Sequence, residues 1–236
     1  MKVNVVECLG GLQRAKGLIV VIDVFRSSTV GCFVVNNGVL DYFVTDSLEL
    51  AREIAAARNG KVIGEQDNIP VADFDYGNSP TLIENMDISS ETLVHSTNAG
   101  TRGIVAACDL GDEVIVGSFV NADAVVKYIR SREPELVTLV AMGTGGTMRA
   151  QEDMMCAMYI KNELEGYPNS FKTLKSFLAD VDSAQKFFDD ERIDAPESDF
   201  ELCMDLDRFD FVLKAEVLQE GCVRLLKTDV VSTDKI

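Results

Sequence analysis

The stretch Leu18–Thr29 has the sequence LIVVIDVFRSST, and it is the part of the chain that most strongly indicates the fold. The apolar residues before Asp23 are rich in Val and Ile, which is typical of a strand buried on both faces. An acid, an arginine and three hydroxyl side chains follow, and the next residues, VGCFVV, are suited to a helix. A polar turn between a strand and a helix gathers backbone N–H groups at the positive end of the helix dipole. We therefore expect an anion site here, with Asp23 able to hold a cation, although the same residues would also form an ordinary strand-to-helix turn.

The charge of the chain limits its partners. Its 236 residues include 39 acidic and 22 basic side chains, for a formal net charge of −17. This charge disfavours nucleic acids and anionic membranes as partners. An anionic substrate would therefore need a local pocket of arginine side chains, backbone N–H groups or a divalent cation.

The cysteine and histidine contents narrow the chemistry further. Six cysteines are scattered without a Cys-x-x-Cys pair, and the N-terminal residues MKVNVVECLGG do not read as a signal peptide. No apolar run is long enough to cross a bilayer. These features predict a cytoplasmic protein with reduced thiols. The single histidine, His95, lies in an apolar strand, which disfavours a His-rich zinc site and a catalytic triad.

Strand and helix patterns alternate over most of the chain. We expect strands at Val3–Cys8, Leu18–Ile22, Tyr42–Thr45, Lys61–Gly64, Thr92–Ser96, Glu113–Gly117 and Leu136–Ala141. Helices are expected between them, and the helix after Thr92–Ser96 is expected to begin near Arg102. This alternation predicts a three-layer α/β/α fold with a mainly parallel sheet.

The pattern changes after about residue 167. Two helical segments, about Lys172–Ala179 and Ser183–Asp190, are followed by a capping box of Ser198 and Glu201 and by a hairpin that turns at Gln219–Gly221. We interpret residues 1–236 as a single domain whose helical and hairpin C-terminal portion packs as an appendage. Capping residues are also expected earlier, with Asp46 and Glu49 as a capping box and Ser79 before Pro80 as an N-cap.

Four expected strand ends carry polar residues, and ligands of open α/β sheets bind at such ends. These segments are Asp23–Thr29, Glu65–Asn68, Thr97–Arg102 and Gly143–Thr147. Glycines allow a backbone to approach a ligand, and hydroxyl and N–H groups can donate to phosphate or sulfonate oxygens. Arg26 and Arg102 could each clamp an anion through two N–H groups. The set favours a small anionic ligand.

Carboxylates fall near the same expected edge, at Asp23, Glu65, Asp75, Glu152 and Asp153. Oxygen ligands without His or Cys suit Mg²⁺, which also neutralises phosphoryl charge. Glu152 and Asp153 are adjacent on a helix, so we do not expect both to point at one site. A solvated acidic face would account for most of these residues equally well.

One alternative site involves Cys8. The segment Cys8–Arg14 matches the Cys-x5-Arg spacing of thiolate phosphatases, but five of its positions are free and Ala15 stands where a Ser or Thr is expected. The segment GTGGTM lacks the third glycine of a dinucleotide fingerprint and the lysine of a P-loop. A nucleophilic Cys8 is thus a weaker hypothesis than a magnesium site.

Six segments together resemble one known family. VVIDVFRSSTV, GEQDN, FDYGNSP, STNAGTRGI, GSFVNADAV and GTGGTMRAQEDMMCA are similar, in this order, to segments of the 2-phosphosulfolactate phosphatase family. The resemblance implies an α/β/α hydrolase that uses Mg²⁺ to convert 2-phospho-3-sulfolactate to 3-sulfolactate and phosphate, a step toward coenzyme M. It implies a small anionic phosphoester as partner, and a homo-oligomer is possible.

The resemblance also implies site residues. Asp23, Arg26 and Glu65 are the expected catalytic residues, and Asp23, Glu65, Glu152 and Asp153 the expected magnesium ligands. With Arg102, the expected substrate-binding residues are Ser27, Ser28, Thr29, Asn78, Ser79, Thr97, Asn98, Gly100 and Thr101. In this scheme Arg26, the hydroxyl groups and the Gly100–Thr101 amides grip phosphate and sulfonate. A metal-bound water, or one activated by a carboxylate, attacks phosphorus in line.

The chain also departs from the family pattern. Gln66 replaces a usual arginine, Asp67 and Asn68 replace glycines, and Ala99 is inserted into a Thr-Asn-Gly-Thr motif. The sequence IDAPESDFE, residues 193–201, stands where the family has a basic His-Gly-Arg stretch. These changes leave open a related phosphate ester as substrate, or a non-catalytic anion-binding or regulatory protein on the same scaffold.

Overall fold

Strands and helices alternate along residues 1–230, the part of the chain that the computed structural model describes. The strands are β1 (Lys2–Glu7), β2 (Leu18–Ile22), β3 (Asp41–Thr45), β4 (Lys61–Gln66), β5 (Ile69–Pro70), β6 (Thr92–Ser96), β7 (Glu113–Gly117), β8 (Leu136–Ala141), β9 (Phe211–Gln219) and β10 (Cys222–Asp229). The helices are α1 (Cys8–Leu12), α2 (Ser27–Asn36), α3 (Leu48–Arg58), α4 (Pro80–Ile83), α5 (Gly100–Cys108), α6 (Ala122–Arg132), α7 (Gln151–Glu165), α8 (Phe171–Leu178) and α9 (Glu197–Cys203). Two 3₁₀ helices cover Phe119–Asn121 and Asp182–Phe187.

Strand β2 is buried on both faces, as its apolar sequence predicts. Leu18, Val20 and Ile22 pack into one hydrophobic core, which includes residues of α6 and α7. Ile19 and Val21 pack into a second core on the other face, with residues of α2 and α5. Helices therefore cover both faces of the sheet, and the expected three-layer α/β/α class is confirmed.

The sheet has ten strands in the order β1-β8-β2-β7-β9-β10-β3-β6-β4-β5. Five neighbouring pairs are parallel and four are antiparallel, so the sheet is mainly parallel, as expected. Two parallel groups, β1-β8-β2-β7 and β3-β6-β4, flank the β9–β10 hairpin. Because three antiparallel pairings separate β7 from β3, the two groups run in opposite senses along the sheet.

The position of the hairpin corrects the sequence interpretation. It turns between Gln219 and Cys222, as expected, but it lies in the middle of the sheet and is not an appendage. Residues 213 and 214 pair with β7, and residues 222–224 pair with β3. The sequence could not show this because the pairing partners lie about 100 or more positions away along the chain. The two halves of the sheet depend on this C-terminal segment for their connection.

The ends of the two parallel groups still meet at one place. Adjacent strands rotate by about 20–25°, so five steps from β2 to β6 rotate the strand direction by roughly 100–125°. Two short distances show that the strand ends are close to each other. Arg26 Nη2, in the turn after β2, lies 3.1 Å from Glu65 Oε2 of β4. A Cβ on Gly100, after β6, would lie 2.6 Å from Asp23 Oδ2. The polar strand ends thus converge although the strands are not all parallel.

Local capping is partly as expected. Ser79 caps α4 by accepting from the Leu82 N–H, and Pro80 is the first helical residue, so this prediction is confirmed. Helix α3 begins one residue later than predicted, because Ser47 rather than Asp46 accepts from the Leu50 N–H.

Three boundaries in the helical segments were predicted wrongly. Helix α9 follows Pro196, so Ser198 lies inside the helix and the predicted capping box is wrong. The segment expected to be helical at Ser183–Asp190 is a 3₁₀ helix at Asp182–Phe187, and α5 begins at Gly100 instead of near Arg102. Over residues 1–230, no helix has both the length and the apolar character that crossing a bilayer requires.

Candidate functional site

A polar pocket of about 780 Å³ lies where β2, β4, β6 and β8 end. It is also bounded by the glycine-rich loop 143–147, the first turn of α7 and residues of the segment 182–192. Six carboxylates line it, from Asp23, Glu65, Asp67, Glu152, Asp153 and Asp182, against three cations, from Arg149, Lys186 and Arg192. This excess of negative charge suits a ligand or cofactor that carries positive charge, or a metal that brings an anion with it.

Asp23 lies at the base of the pocket and is 7% exposed. Its Oδ1 accepts from the Ser27 N–H at 3.2 Å. Among residues 1–230 no donor is hydrogen-bonded to its Oδ2, but a Cβ on Gly100 would lie 2.6 Å from that oxygen. Only glycine therefore lets the first turn of α5 approach the carboxylate this closely. Burial, and then the negative charge of Glu65, raise the pKa of Asp23 to about 7.

Asp153 ties two strand ends together. Its Oδ1 accepts from the Val24 N–H at 2.7 Å, and its Oδ2 accepts from the Gly143 N–H at 2.8 Å. Burial, and then the charges of Glu152 and Asp23, hold its pKa well above the ordinary value. Asp153 thus fixes the turn after β2 against the glycine-rich loop.

Glu152 also lines the pocket, and this corrects the expectation that Glu152 and Asp153 could not share a site. They are the second and third residues of α7, and the pocket extends around the end of the helix, so adjacent side chains reach it from different sides. Glu152 Oε2 accepts from the Ser183 hydroxyl at 2.6 Å. This bond connects α7 to the 3₁₀ helix.

Arg26 does not line the pocket, contrary to the expected anion clamp. It is 2% exposed and donates through Nη1 to Asp199 Oδ2 and to the Asp194 carbonyl, each at 2.7 Å. Its Nη2 donates to Glu65 Oε2 at 3.1 Å. Arg26 therefore connects the turn after β2 to β4 and α9, and it holds the Glu65 carboxylate in place.

The predicted hydroxyl groups also lie beneath the pocket. Ser28 Oγ accepts from the Asp23 N–H at 3.0 Å, and Thr29 Oγ1 donates to the Val24 carbonyl at 2.9 Å. Thr101 Oγ1 accepts from the Thr97 N–H at 2.8 Å. These groups stabilise the turns that present Asp23 and Thr97, instead of gripping an anion themselves. The buried residues that do not line the pocket include Ser27, Ser28, Thr29, Gly100 and Thr101.

Three further predicted residues are placed elsewhere. Asn78 Oδ1 lies 3.1 Å from His95 Nε2, and Ser79 Oγ donates to Asp199 Oδ1 at 2.7 Å. Burial lowers the pKa of His95 to about 3, so its imidazole is neutral. Arg102 is exposed as the third residue of α5 and does not line the pocket. Of the expected substrate-binding residues, the structure brings Thr97 and Asn98 into the lining.

The sequence interpretation missed the cations of the pocket. Lys186 and Arg192 come from the 3₁₀ helix and the loop after it, and Arg149 comes from the residues before α7. Lys186 and Arg192 left a weak signal in the sequence, since they are two basic residues in the acidic segment that precedes residues 193–201. An irregular segment has no periodicity from which to infer the direction of its side chains.

The donor set of the pocket fits a hard divalent cation. In the part of the chain that the structure describes, no three His, Cys, Asp or Glu side chains are gathered closely enough to hold a metal ion by themselves. Mg²⁺ does not require such a group, because it usually keeps several waters and binds one or two carboxylates together with a substrate phosphate. Asp23 and Glu152 fit this description, since Asp23 Oδ2 and Glu152 Oε1 each accept no hydrogen bond from another residue among residues 1–230. Asp75 lies outside the lining, and its Oδ2 accepts from the Val62 N–H at 2.8 Å.

The Cys8 hypothesis gains no support from the geometry. A Cβ on Gly143 would lie 3.2 Å from Cys8 Sγ, which places the thiol beside the glycine-rich loop but outside the pocket lining. Burial, and then the charge of Glu7, raise the pKa of the Cys8 thiol. A nucleophilic cysteine needs the opposite shift.

A pocket of carboxylates and cations at the strand ends of an α/β sheet is typical of proteins that bind a small charged ligand. Sequence comparison identifies the family. A model of the 2-phosphosulpholactate phosphatase family matches residues 8–217, and the chain belongs to this family. The resemblance inferred from the six sequence segments is thereby confirmed.

Several curated relatives are similar to this chain. It is 34% identical over 158 residues to a probable 2-phosphosulfolactate phosphatase of Clostridium perfringens strain SM101, a match that covers 64% of this chain and 63% of the relative. A protein of the same name from Clostridium perfringens strain 13 is 31% identical over 181 residues, covering 74% and 70%. One from Thermotoga maritima is 32% identical over 143 residues, covering 60% of each chain.

Proposed function

We propose that this protein hydrolyses 2-phospho-3-sulfolactate, or a related small phosphorylated hydroxy acid, to the hydroxy acid and phosphate. The observation that carries the proposal is the pocket itself, in which Asp23, Glu65 and Glu152 face a glycine-rich loop and a set of cations. Family membership supports the substrate class, because the relatives are named as probable 2-phosphosulfolactate phosphatases. The same proposal places the enzyme in the cytoplasm and its reaction in the biosynthesis of coenzyme M. It also allows the protein to act as a homo-oligomer.

The proposal includes Mg²⁺ as cofactor. Asp23 and Glu152 would hold it, because their unengaged oxygens line the pocket, while Asp153 is occupied by two backbone N–H groups. Bound Mg²⁺ would neutralise charge on the phosphoryl group and polarise its oxygens.

The remaining steps depend on residues of the chain itself. Glu65 lines the pocket and is oriented by Arg26, so we assign it to accept a proton from the water that attacks phosphorus. Asp153 keeps the glycine-rich loop against the turn after β2, which fixes the space for the phosphoryl group. The buried Arg26 thus acts by positioning Glu65 and not by touching the substrate.

Phosphate release from a panel of esters tests this function. The panel includes 2-phospho-3-sulfolactate and phospholactate, each with Mg²⁺ and with EDTA. We expect release that EDTA abolishes and that Asp23→Asn reduces by orders of magnitude. Asp190→Asn, at an exposed position outside the pocket lining, is the matched control and should turn over normally.

A second candidate is a non-catalytic anion-binding protein. It is favoured by one observation: Arg26, which the sequence predicts to be catalytic, is committed to Asp199, the Asp194 carbonyl and Glu65 and does not line the pocket. Thermal stabilisation by the esters without phosphate release would establish it. Metal-independent release that is lost in Cys8→Ser would instead establish a thiolate mechanism.

A further inference from the structure

Lys186 differs from the other cations of the pocket in its partners. Its ammonium donates to two neutral oxygens at long distances, the Phe25 carbonyl at 3.3 Å and Asn68 Oδ1 at 3.4 Å. Within residues 1–230 it forms no ion pair, although the pocket is rich in carboxylates. Its positive charge is therefore available to a ligand.

The other two cations are already paired. Arg192 donates through Nε and Nη2 to both carboxylate oxygens of Asp194, at 2.9 and 2.8 Å. Arg149 pairs with Glu7 at 2.8 Å, and its side chain is 81% exposed. A ligand anion would have to displace a salt-bridged carboxylate at either arginine. At Lys186 it would meet the charges of Glu65, Asp23 and Glu152, which act on the ammonium without a salt bridge.

Core packing fixes the position of Lys186. The next residue, Phe187, is buried and packs edge-on against Phe25, with ring centroids 5.1 Å apart. Ser183, one turn earlier, is bonded to Glu152 at 2.6 Å. The 3₁₀ helix is therefore anchored on both sides of Lys186, and the side chain reaches the pocket from a defined place.

The contacts of Lys186 also indicate which part of a ligand it meets. Lys186 and Arg192 both donate to Asn68, at its Oδ1 and its carbonyl oxygen. The glycine-rich loop is instead tied to Asp153 through Gly143. The two cations that meet at Asn68 are thus held by other contacts than the glycine-rich loop, beside which the phosphoryl group is assigned above.

We propose that Lys186 binds the second anionic group of the ligand, a sulfonate or a carboxylate, and so selects phosphoesters that carry one. This rests on the proposed function for the position of the phosphoryl group, and it names the residue that determines substrate class. A charge-assisted hydrogen bond in a half-buried site contributes enough to change affinity by roughly 10- to 100-fold.

Binding of the dephosphorylated product tests the proposal without requiring turnover. Calorimetry with 3-sulfolactate, lactate and inorganic phosphate, in the presence of Mg²⁺, is carried out on the wild type, Lys186→Gln and Lys186→Arg. Lys172→Gln is the matched control, because Lys172 is exposed on α8 and does not line the pocket. We expect Lys186→Gln to weaken 3-sulfolactate binding by roughly 10-fold or more. Lactate should respond in the same direction if the group recognised is the carboxylate, and should bind weakly to every variant if it is the sulfonate.

Binding of inorganic phosphate distinguishes recognition of the second anionic group from a general attraction of Lys186 for anions. It should be unchanged in Lys186→Gln, and Lys186→Arg should retain most of the 3-sulfolactate affinity. Equal loss of 3-sulfolactate and phosphate, unchanged 3-sulfolactate binding in Lys186→Gln, or no 3-sulfolactate binding by the wild type would each overturn the proposal. If Lys186→Gln does not fold, Lys186→Met replaces it in the same comparison.

The role of Lys186 and the proposed phosphatase function can each fail while the other holds. Selective loss of 3-sulfolactate binding in a protein that releases no phosphate would sustain the role of Lys186 and refute the phosphatase. Phosphate release by a protein whose Lys186→Gln variant binds 3-sulfolactate normally would do the reverse.

Discussion

Replacing Asp23 by Asn removes a buried charge from the floor of the pocket while keeping the shape of the side chain. Burial and the nearby Glu65 raise the pKa of this carboxyl from its ordinary 3.8 to about 7. A carboxyl whose pKa is raised on folding stabilises the fold below its unfolded pKa, and this stabilisation is lost as the pH rises through the folded pKa. The wild type should therefore lose stability with rising pH, whereas Asp23→Asn should lack this contribution.

The magnitude follows from the two pKa values. Their difference corresponds to about 4 kcal/mol over the full range, at about 1.4 kcal/mol for each pH unit. The isoelectric point of about 4.4 favours measurements above that pH. Between about pH 5.5 and pH 8 the wild type should lose about 2 kcal/mol relative to Asp23→Asn. The amide oxygen can still accept from the Ser27 N–H, so no other bond needs to be lost.

Urea unfolding in EDTA at the two pH values measures this difference. Asp190→Asn, at an exposed position, serves as the control for removing one acidic side chain. Saturating Mg²⁺ at pH 8 should then stabilise the wild type more than Asp23→Asn, since Asp23 is assigned to hold it. The reasoning is refuted if the wild type and Asp23→Asn have the same pH dependence, or if Asp23→Asn is the less stable protein at pH 8.

Two other substitutions test the construction around the pocket. Gly100→Ala places a Cβ 2.6 Å from the Asp23 carboxylate, so kcat/KM for phosphate release should fall by roughly 100-fold. Gly10→Ala is the control and should stay active, because its new Cβ meets nothing within 4 Å. Equal activities of the two variants would contradict the close approach of α5 to Asp23. Asp199→Ala leaves the buried Arg26 guanidinium without its main partner and should lower the free energy of unfolding, measured in urea, by about 3 kcal/mol. A loss below about 1 kcal/mol would show that the Arg26–Asp199 pair does not hold α9 in place.

The sequence predicted the parts of the site that belong to regular elements. Strand β2 is continuous and apolar, so the position of Asp23 at its end could be inferred, and the same holds for Glu65 and Thr97. Polar residues after strands cluster even here, where the two parallel groups run in opposite senses, because the accumulated twist brings their ends together.

The parts that could not be predicted depend on long-range contacts. Arg26 looked like an anion clamp because nothing in the sequence indicates that Asp199, 173 positions later, occupies it. The hairpin looked peripheral because strand order within a sheet is set by pairing and not by position in the chain. Lys186 was missed because it lies in an irregular segment, where the direction of a side chain depends on the packing of its neighbour Phe187.

The most direct test of the central claim is phosphate release from 2-phospho-3-sulfolactate by the wild type and by Asp23→Asn, each with Mg²⁺ and with EDTA. The account predicts steady release by the wild type that EDTA abolishes and that falls by orders of magnitude in folded Asp23→Asn. Release that is equal in the two proteins, or that continues undiminished in EDTA, would contradict the assignment of the pocket at Asp23 as a magnesium-dependent phosphatase site.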